Sequence, residues 1–241
     1  MKNINKFIER RRLKPVFVNT KNVKNFISTI NNLQNRAQGV PGMALIYGEL
    51  GLGKTQAAIW WVSNHQDDAI YVSAKQSMST KWLLEEIVKE LGDSPFYRTA
   101  DIFEQITREL IKRPRLIIVD EIDYLTQEKS TIEMLRDIHD RTHTPIILIG
   151  MSYADKKIKR YKHLYDRLSE ILQFQKFSIE DIKNLINELS EIKFDNSAIE
   201  HIQNTENRFR QIVKIIDKAE NYAKANDLSI ITLKDMRFLL K

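Results

Sequence analysis

Five short apolar runs alternate with helix-period segments through the middle of the chain. The runs are Met43–Tyr47, Ala69–Ser73, Arg115–Asp120, Ile146–Gly150 and Ile171–Phe174. Continuous apolar strands separated by segments with apolar residues three or four apart are typical of a parallel sheet covered by helices on both faces. The pattern therefore predicts an α/β fold.

Helical patterns lie between these strands and continue beyond them. Within the α/β part they are Thr55–Asn64, Thr80–Leu91, Asp101–Ile111, Ser130–Arg141 and Asp155–Leu168. After Phe177 only helical patterns remain, at Ile179–Glu191, Ser197–Asn204, Arg208–Asn226 and Leu233–Leu240. We therefore predict an N-terminal extension with one helix near Val23–Leu33 (residues 1–40), an α/β core (41–176) and a small all-α subdomain (177–241).

Composition narrows the classes of function. The 241 residues contain no cysteine, which excludes disulfides, thiolate metal sites and cysteine nucleophiles and fits a reducing cytoplasm. The apolar runs are far shorter than the roughly 20 residues of a membrane span, and Met1–Lys14 is too charged for a secretory signal. A net charge of +6 favours an acidic polymer as a partner.

One segment carries a phosphate-binding motif. Gly48–Thr55 reads Gly-Glu-Leu-Gly-Leu-Gly-Lys-Thr and matches the pattern G-x-x-x-x-G-K-[ST], between an apolar strand and a helical segment. Backbone N–H groups of such a loop surround phosphate oxygens, Lys54 reaches the β- and γ-phosphates, and the Thr55 hydroxyl is a ligand of Mg²⁺. We therefore predict ATP and Mg²⁺ as cofactors. The predicted nucleotide contacts are Gly48, Glu49, Gly51, Leu52, Gly53, Lys54, Thr55 and Gln56.

A second motif is acidic. Leu116–Val119 is an apolar run that ends in the carboxylates Asp120 and Glu121. The carboxyl ends of parallel strands meet at the edge of the sheet where ligands bind, so Asp120 is expected in the Mg²⁺ shell with Thr55. Glu121 is then the candidate general base that activates the attacking water.

Two histidines at helical spacing do not indicate a metal site. His139 and His143 stand four residues apart, but no glutamate of the metalloprotease pattern lies between them. His143 also lies close to Pro145, where the helix is expected to have ended. We interpret both as structural histidines.

The chain resembles the AAA+ ATPases and, within them, the MuB and TnsC group of transposition regulators. The resemblance extends from about Phe17 to Ala223. It rests on the segments Phe17–Val23, Tyr47–Thr55, Ile118–Leu125, Leu135–Asp140, Ile147–Gly150 and Asp166–Leu168. It implies the P-loop NTPase fold of AAA+ proteins, with a parallel sheet between helical layers and residues 177–241 as a helical lid.

The resemblance also implies roles for three further positions. Arg167 matches the arginine finger that reaches the ATP site of a neighbouring protomer, with a surface ion pair as the alternative. Arg210 matches the sensor-2 arginine that contacts the phosphates in cis, and Arg208 competes with it. The sensor-1 position holds Met151, which cannot orient a water, so either Ser152 substitutes or hydrolysis is slow.

DNA contacts follow from the same resemblance. Lys75, Lys81, Arg98 and Thr99, in loops after the second strand and before the third helix, would face duplex DNA inside a helical ring. Contacts of this kind bind phosphates without reading bases. A solvated basic face is the alternative, and the basic segment Lys6–Lys14 is either a disordered arm or a second DNA contact.

The resemblance thus implies a slow, DNA-stimulated ATPase that forms a ring or filament on duplex DNA, selects target DNA and activates a transposase. A helicase loader of the DnaC and IstB kind would share the core. A signalling or defence switch would share the nucleotide site and leave the basic charge incidental. A module that binds ATP without hydrolysing it is a further alternative, because of Met151.

Overall fold

The predicted strands form a single parallel sheet in the computed structural model, which describes residues 18–206 and 208–240. The strands are β1 (Met43–Tyr47), β2 (Ala69–Ser73), β3 (Leu116–Asp120), β4 (Ile146–Gly150) and β5 (Leu168–Gln173), in the order β2-β3-β4-β1-β5. The fold prediction is confirmed. The basic segment Lys6–Lys14 and Phe17 lie outside the described residues.

Helices connect the strands and cover the sheet. They are α1 (Lys21–Gln34), α2 (Lys54–Asn64), α3 (Thr80–Glu90), α4 (Thr99–Lys112), α5 (Lys129–Thr142), α6 (Ala154–Ile158) and α7 (Lys162–Tyr165). A short 3₁₀ helix, Ile122–Gln127, follows β3. Strands β3 and β4 are buried along their whole length, as expected for inner strands covered on both faces. The nucleotide loop and the acidic motif follow inner strands, so both lie at the carboxyl edge of this sheet.

The segment before β5 differs from its predicted form. The prediction of a single helix over Asp155–Leu168 is wrong, because the chain forms α6 and α7 and then begins β5 at Leu168. The cause is tertiary: Met43 N donates to Arg167 O at 3.1 Å, and Leu168 pairs with Met43 at the start of β1. Pairing with an inner strand thus overrides the local helical pattern.

The described residues form two compact units. One is Asn22–Gln175, and the other is built from the described residues on either side of it. The second unit contains α8 (Ile179–Leu189), α9 (Asn196–Thr205), α10 (Phe209–Ala225) and α11 (Leu233–Leu239). The predicted domain boundaries after residues 40 and 176 stay predictions.

The second unit is helical, as predicted, with one addition. Two short strands, β6 (Lys193–Phe194) and β7 (Ile230–Ile231), pair in parallel, so the expectation that only helices follow Phe177 is wrong. Strands of two residues are too short to give a period-two pattern in the sequence. Among the described residues, no helix combines the length and apolar character needed to cross a membrane.

His139 joins α5 to the start of β1. Its Nε2 accepts from Gly42 N at 3.1 Å, so the neutral ring carries its proton on Nδ1, which donates to Thr144 O at 2.7 Å. Burial lowers the pKa of His139 from its ordinary value of 6.5; the hydrogen bond to Thr144 opposes this shift, and the charge of Arg36 adds to it. Protonation of Nε2 would remove the acceptor for Gly42 and place a charge in the interior.

Stability is therefore expected to depend on pH through His139. The pKa of His139 in the folded state lies below the unfolded value of 6.5. Neutral His139 therefore contributes fully to the free energy of unfolding above pH 6.5, and this contribution is lost as the pH falls through the folded pKa. The free energy of unfolding should decrease by at most about 1.4 kcal/mol per pH unit in this window. Denaturant unfolding of His139→Gln should lack this dependence. His143→Asn is the control, since asparagine tolerates the left-handed backbone of the exposed His143. If both variants keep the pH dependence of the wild-type protein, His139 is not its cause.

Candidate functional site

The loop between β1 and α2 closes around the Lys54 ammonium. Gly51 and Gly53 have φ angles of 84° and 92°, which β-carbon-bearing residues rarely adopt. Lys54 Nζ donates to Gly48 O and to Glu49 O, both at 2.8 Å. Burial lowers the pKa of Lys54, and nearby carboxylates oppose this shift. The loop thus holds a nearly buried cation at the amino end of α2.

Two of the other predicted nucleotide contacts differ in their surroundings. Leu52 is a buried residue of the loop, and Gln56 is exposed on the first turn of α2. The Leu52 side chain is therefore shielded from solvent, whereas the Gln56 side chain faces it. The backbone N–H groups of these residues belong to the loop and the helix start that would surround a phosphate.

Asp120 links the acidic motif to this loop. It is 3% exposed, and its Oδ2 accepts from Thr55 Oγ1 at 2.7 Å and from Tyr71 OH at 2.9 Å. Its Oδ1 accepts from Glu121 N at 2.7 Å. Thr55 and Asp120 supply a hydroxyl and a carboxylate side by side. Mg²⁺ prefers such oxygen donors and commonly takes one or two from protein beside substrate phosphates, so this pair fits the predicted ion.

Glu121 has an uncommon backbone and a perturbed side chain. Its φ and ψ are 56° and 36°, in the left-handed region that non-glycine residues seldom occupy. Burial, followed by the charges of Asp120 and Asp123, raises the pKa of Glu121, and Lys54 opposes the shift. Strained backbone and raised carboxyl pKa are features that often occur at active sites.

Asp123 connects the acidic motif to the end of β4. Its Oδ2 accepts from Met151 N at 2.6 Å, and its Oδ1 accepts from Lys157 Nζ at 2.7 Å. The sensor-1 position therefore meets the acidic motif through its backbone, while the Ser152 side chain is exposed. The sequence prediction missed Lys157, which lies on α6, and Tyr71, which lies on β2. Neither occupies a recognisable motif.

Arg167 lies at the other end of the sheet from Lys54. The Arg167 backbone oxygen accepts from Met43, the first residue of β1, whereas the loop with Lys54 comes after the last residue of β1. The length of this five-residue strand, about 15 Å, therefore separates the two. The Arg167 guanidinium forms two hydrogen bonds to Asp140, at 2.7 and 3.1 Å. Within its own chain Arg167 thus occupies the surface ion pair that the sequence left as the alternative.

The two competing sensor-2 arginines belong to the second unit. Arg208 precedes α10, and its guanidinium forms two hydrogen bonds to Glu206, at 3.0 and 2.9 Å. Arg210 lies in the first turn of α10 with an exposed side chain. The choice between them stays a prediction.

The predicted DNA contacts lie near the amino ends of α3 and α4. Lys75 is in the loop after β2, 3.6 Å from Glu86 Oε2 and 5.2 Å from the centre of the Trp82 ring. Lys81 lies on α3, not in a loop as predicted, because Ser79 caps that helix. Its ammonium is 3.7 Å from Glu85 Oε1 and 4.6 Å from the centre of the Tyr97 ring.

The remaining two predicted contacts adjoin this group. Arg98 is the residue before α4, and Thr99 is the first residue of that helix, so Thr99 is not in a loop either. The preceding loop is held by buried Gln105, whose Nε2 donates to Asp93 Oδ2 at 2.7 Å. The four residues thus lie at two neighbouring helix ends, where exposed Tyr97 joins them.

Known proteins resemble this chain in sequence and in fold. Over 171 residues it is 27% identical to the Mu-like prophage FluMu DNA transposition protein B of Haemophilus influenzae, covering 67% of this chain and 57% of that protein. Over 120 residues it is 31% identical to a potential ATP-binding protein of Staphylococcus aureus, covering 50% and 40%. The chain therefore spans about half the length of these relatives.

Solved structures give the same fold. The Aeropyrum pernix ORC2 protein, in ADPNP and ADP complexes, superposes with a TM-score of 0.72 at 15% sequence identity, covering 96% of this chain and 71% of that one. The sequence model of the AAA domain family matches residues 37–158, which is slightly more than half of the chain and includes both motifs. The chain therefore belongs to the AAA domain family and is a AAA+ P-loop protein.

Proposed function

We propose that this protein is an ATP-dependent, DNA-binding ATPase that assembles on duplex DNA, selects target DNA and activates a transposase. The proposal of ATP hydrolysis rests on the 2.7 Å hydrogen bond between Thr55 of the nucleotide loop and Asp120 at the end of β3. The 27% identity to a phage-type DNA transposition protein B supports the role in transposition.

The proposed mechanism assigns each polar group one task. Lys54 neutralises charge on the β- and γ-phosphates, and the loop N–H groups orient them. Thr55 and Asp120 would hold Mg²⁺, which would supply positive charge to the phosphate oxygens. Glu121 accepts a proton from the attacking water, and its raised pKa makes the ionised side chain a stronger base.

The position of Arg167 supports assembly into oligomers. An arginine about one strand length from its own Lys54 acts on a nucleotide only in another subunit. The Arg167–Asp140 pair is exposed, and pairs of this kind contribute about 1 kcal/mol or less. Arg167 can therefore exchange Asp140 for a phosphate of a neighbouring protomer. We propose that bound ATP joins protomers in a ring or filament and that hydrolysis releases them.

The proposed DNA surface consists of Lys75, Lys81, Arg98 and Thr99. Its exposed lysine side chains lie 3.6 and 3.7 Å from half-buried carboxylates, and such weak ion pairs can be replaced by phosphates. The aromatic rings beneath both ammonium groups restrict where the lysine side chains lie. Binding through phosphates gives little sequence preference and a steep loss of affinity with salt.

Salt dependence tests this surface. Binding of duplex DNA should require ATP, and Lys75→Ala and Lys81→Ala should each reduce the slope of log affinity against log salt by about one unit. Lys156→Ala is the matched control, because Lys156 also lies over an exposed ring, that of Tyr153, at 5.7 Å. Fluorescence anisotropy at several salt concentrations measures the slopes. Wild-type slopes in both variants would leave the lysines as a solvated face.

Electron microscopy with a non-hydrolysable ATP analogue and duplex DNA separates the proposal from its alternatives. Rings or helical filaments on DNA are the expected result. Discrete complexes that form only with a replicative helicase would favour a loader. Nucleotide binding that is indifferent to DNA would favour a signalling switch.

A further inference from the structure

The hydroxyl of Tyr71 reaches the carboxylate that the proposed mechanism gives to Mg²⁺. Tyr71 lies on β2, where Ser73 pairs with Asp120 of β3. Alternate residues of a strand share a face, so Tyr71 lies on the same face as Ser73 and Asp120. From there the half-buried phenol spans the diagonal between the strands and donates to Asp120 Oδ2 at 2.9 Å.

Three donors fix the Asp120 carboxylate. Oδ2 accepts from the Tyr71 and Thr55 hydroxyls, and Oδ1 accepts from Glu121 N. Each hydroxyl has one proton, and in this arrangement both protons point to the same oxygen. The Thr55 oxygen keeps its lone pairs free for a cation. Tyr71 has no place in the P-loop or in the acidic motif, so neither motif accounts for this third contact.

The surroundings keep Tyr71 a hydrogen-bond donor. Burial, and then the negative charge of Asp120, raises the pKa of the Tyr71 phenol above its ordinary value of 10.0. The Tyr71 hydroxyl donates to Asp120 with its own proton, so this bond does not depend on the bond from Thr55.

We propose that Tyr71 is a positioning residue that holds Asp120 in the orientation required to bind Mg²⁺ together with ATP. This inference rests on the proposed function, since it concerns the same nucleotide site. Partners that orient metal ligands typically change metal affinity by about 10- to 100-fold when removed. The phenol contacts a ligand of the ion and not the ion itself.

Tyr71→Phe tests the inference, because phenylalanine keeps the ring and removes only the hydroxyl. Calorimetry with ADP and with a non-hydrolysable ATP analogue, across a Mg²⁺ titration, measures the effect without turnover. The Mg²⁺ concentration for half-maximal stimulation of nucleotide affinity should rise about 10-fold. Affinity without Mg²⁺ should change less than about twofold, since the removed hydroxyl donates to Asp120 and not to the nucleotide.

Two comparisons show whether Tyr71 acts through Asp120. Tyr161→Phe removes another tyrosine hydroxyl, which donates to Thr126 O at 2.6 Å, and should leave the Mg²⁺ midpoint unchanged. In an Asp120→Asn background, Tyr71→Phe should have no further effect on the midpoint, because the carboxylate that it orients is gone.

The outcomes are distinct. A wild-type midpoint in Tyr71→Phe, or an equal shift in Tyr161→Phe, would overturn the positioning role and leave the proposed function intact. Additive effects in the Asp120→Asn background would also overturn it. A wild-type protein whose nucleotide affinity does not respond to Mg²⁺ would contradict the proposed function itself.

Discussion

Lys54→Ala is expected to abolish measurable ATP binding. In the structure Lys54 is 7% exposed, and its ammonium donates to two carbonyl groups of its own loop. Alanine would leave the loop without the cation that balances the phosphates. Truncating one partner of a buried, hydrogen-bonded charge pair costs about 2–5 kcal/mol, which corresponds to a roughly 30- to 5,000-fold loss of affinity. Calorimetry with a non-hydrolysable ATP analogue measures this loss.

Glu121→Gln is the variant to compare with Lys54→Ala in the same site. Glutamine keeps the size of the side chain and removes its capacity to accept a proton, so nucleotide affinity should persist while turnover is lost. Thermal unfolding of both variants without nucleotide shows whether the fold is retained. Normal nucleotide affinity in a folded Lys54→Ala protein would refute the assigned site. Undiminished turnover in Glu121→Gln would show that another group is the base.

Much of the fold and of the nucleotide site could be predicted because local patterns and tertiary structure agree there. Inner strands such as β3 and β4 are buried on both faces, so each is an uninterrupted apolar run with clear ends. The glycines of the loop are required by backbone angles that the motif itself encodes. The sequence predicts that Thr55 and Asp120 lie together, because the loop before Thr55 follows one inner strand and Asp120 ends another.

The missed features depend on contacts that no local pattern records. Strand β5 alternates between half-buried and exposed residues at the edge of the sheet, so its first residues resembled the end of a helix. Tyr71 is an ordinary strand residue until β2 pairs with β3 and brings its hydroxyl to Asp120. Lys157 joins the site through Asp123, 34 positions earlier in the chain. Each became visible only through a partner distant in sequence.

Arg167→Ala is expected to lower ATP turnover per subunit by about 10³- to 10⁵-fold in the assembled state, which is the effect typical of an arginine finger. Nucleotide affinity should hardly change, because the finger acts on charge that develops in the transition state. Wild-type turnover per subunit should also rise with protein concentration and with added DNA, and the variant should lose this rise. Arg141→Ala is the control, since Arg141 is another exposed arginine, 3.8 Å from Glu104.

Mixing two inactive proteins gives the sharper test of a role in trans. Arg167→Ala protomers keep an intact nucleotide site, and Lys54→Ala protomers keep the arginine. At an interface between them, the first supplies the site and the second supplies the finger. In equal mixtures about one head-to-tail interface in four has this composition, so turnover should recover to about a quarter of the wild-type value. If light scattering shows that the variants assemble together and turnover stays absent, Arg167 does not act on a neighbour, and the Asp140 ion pair is its whole role.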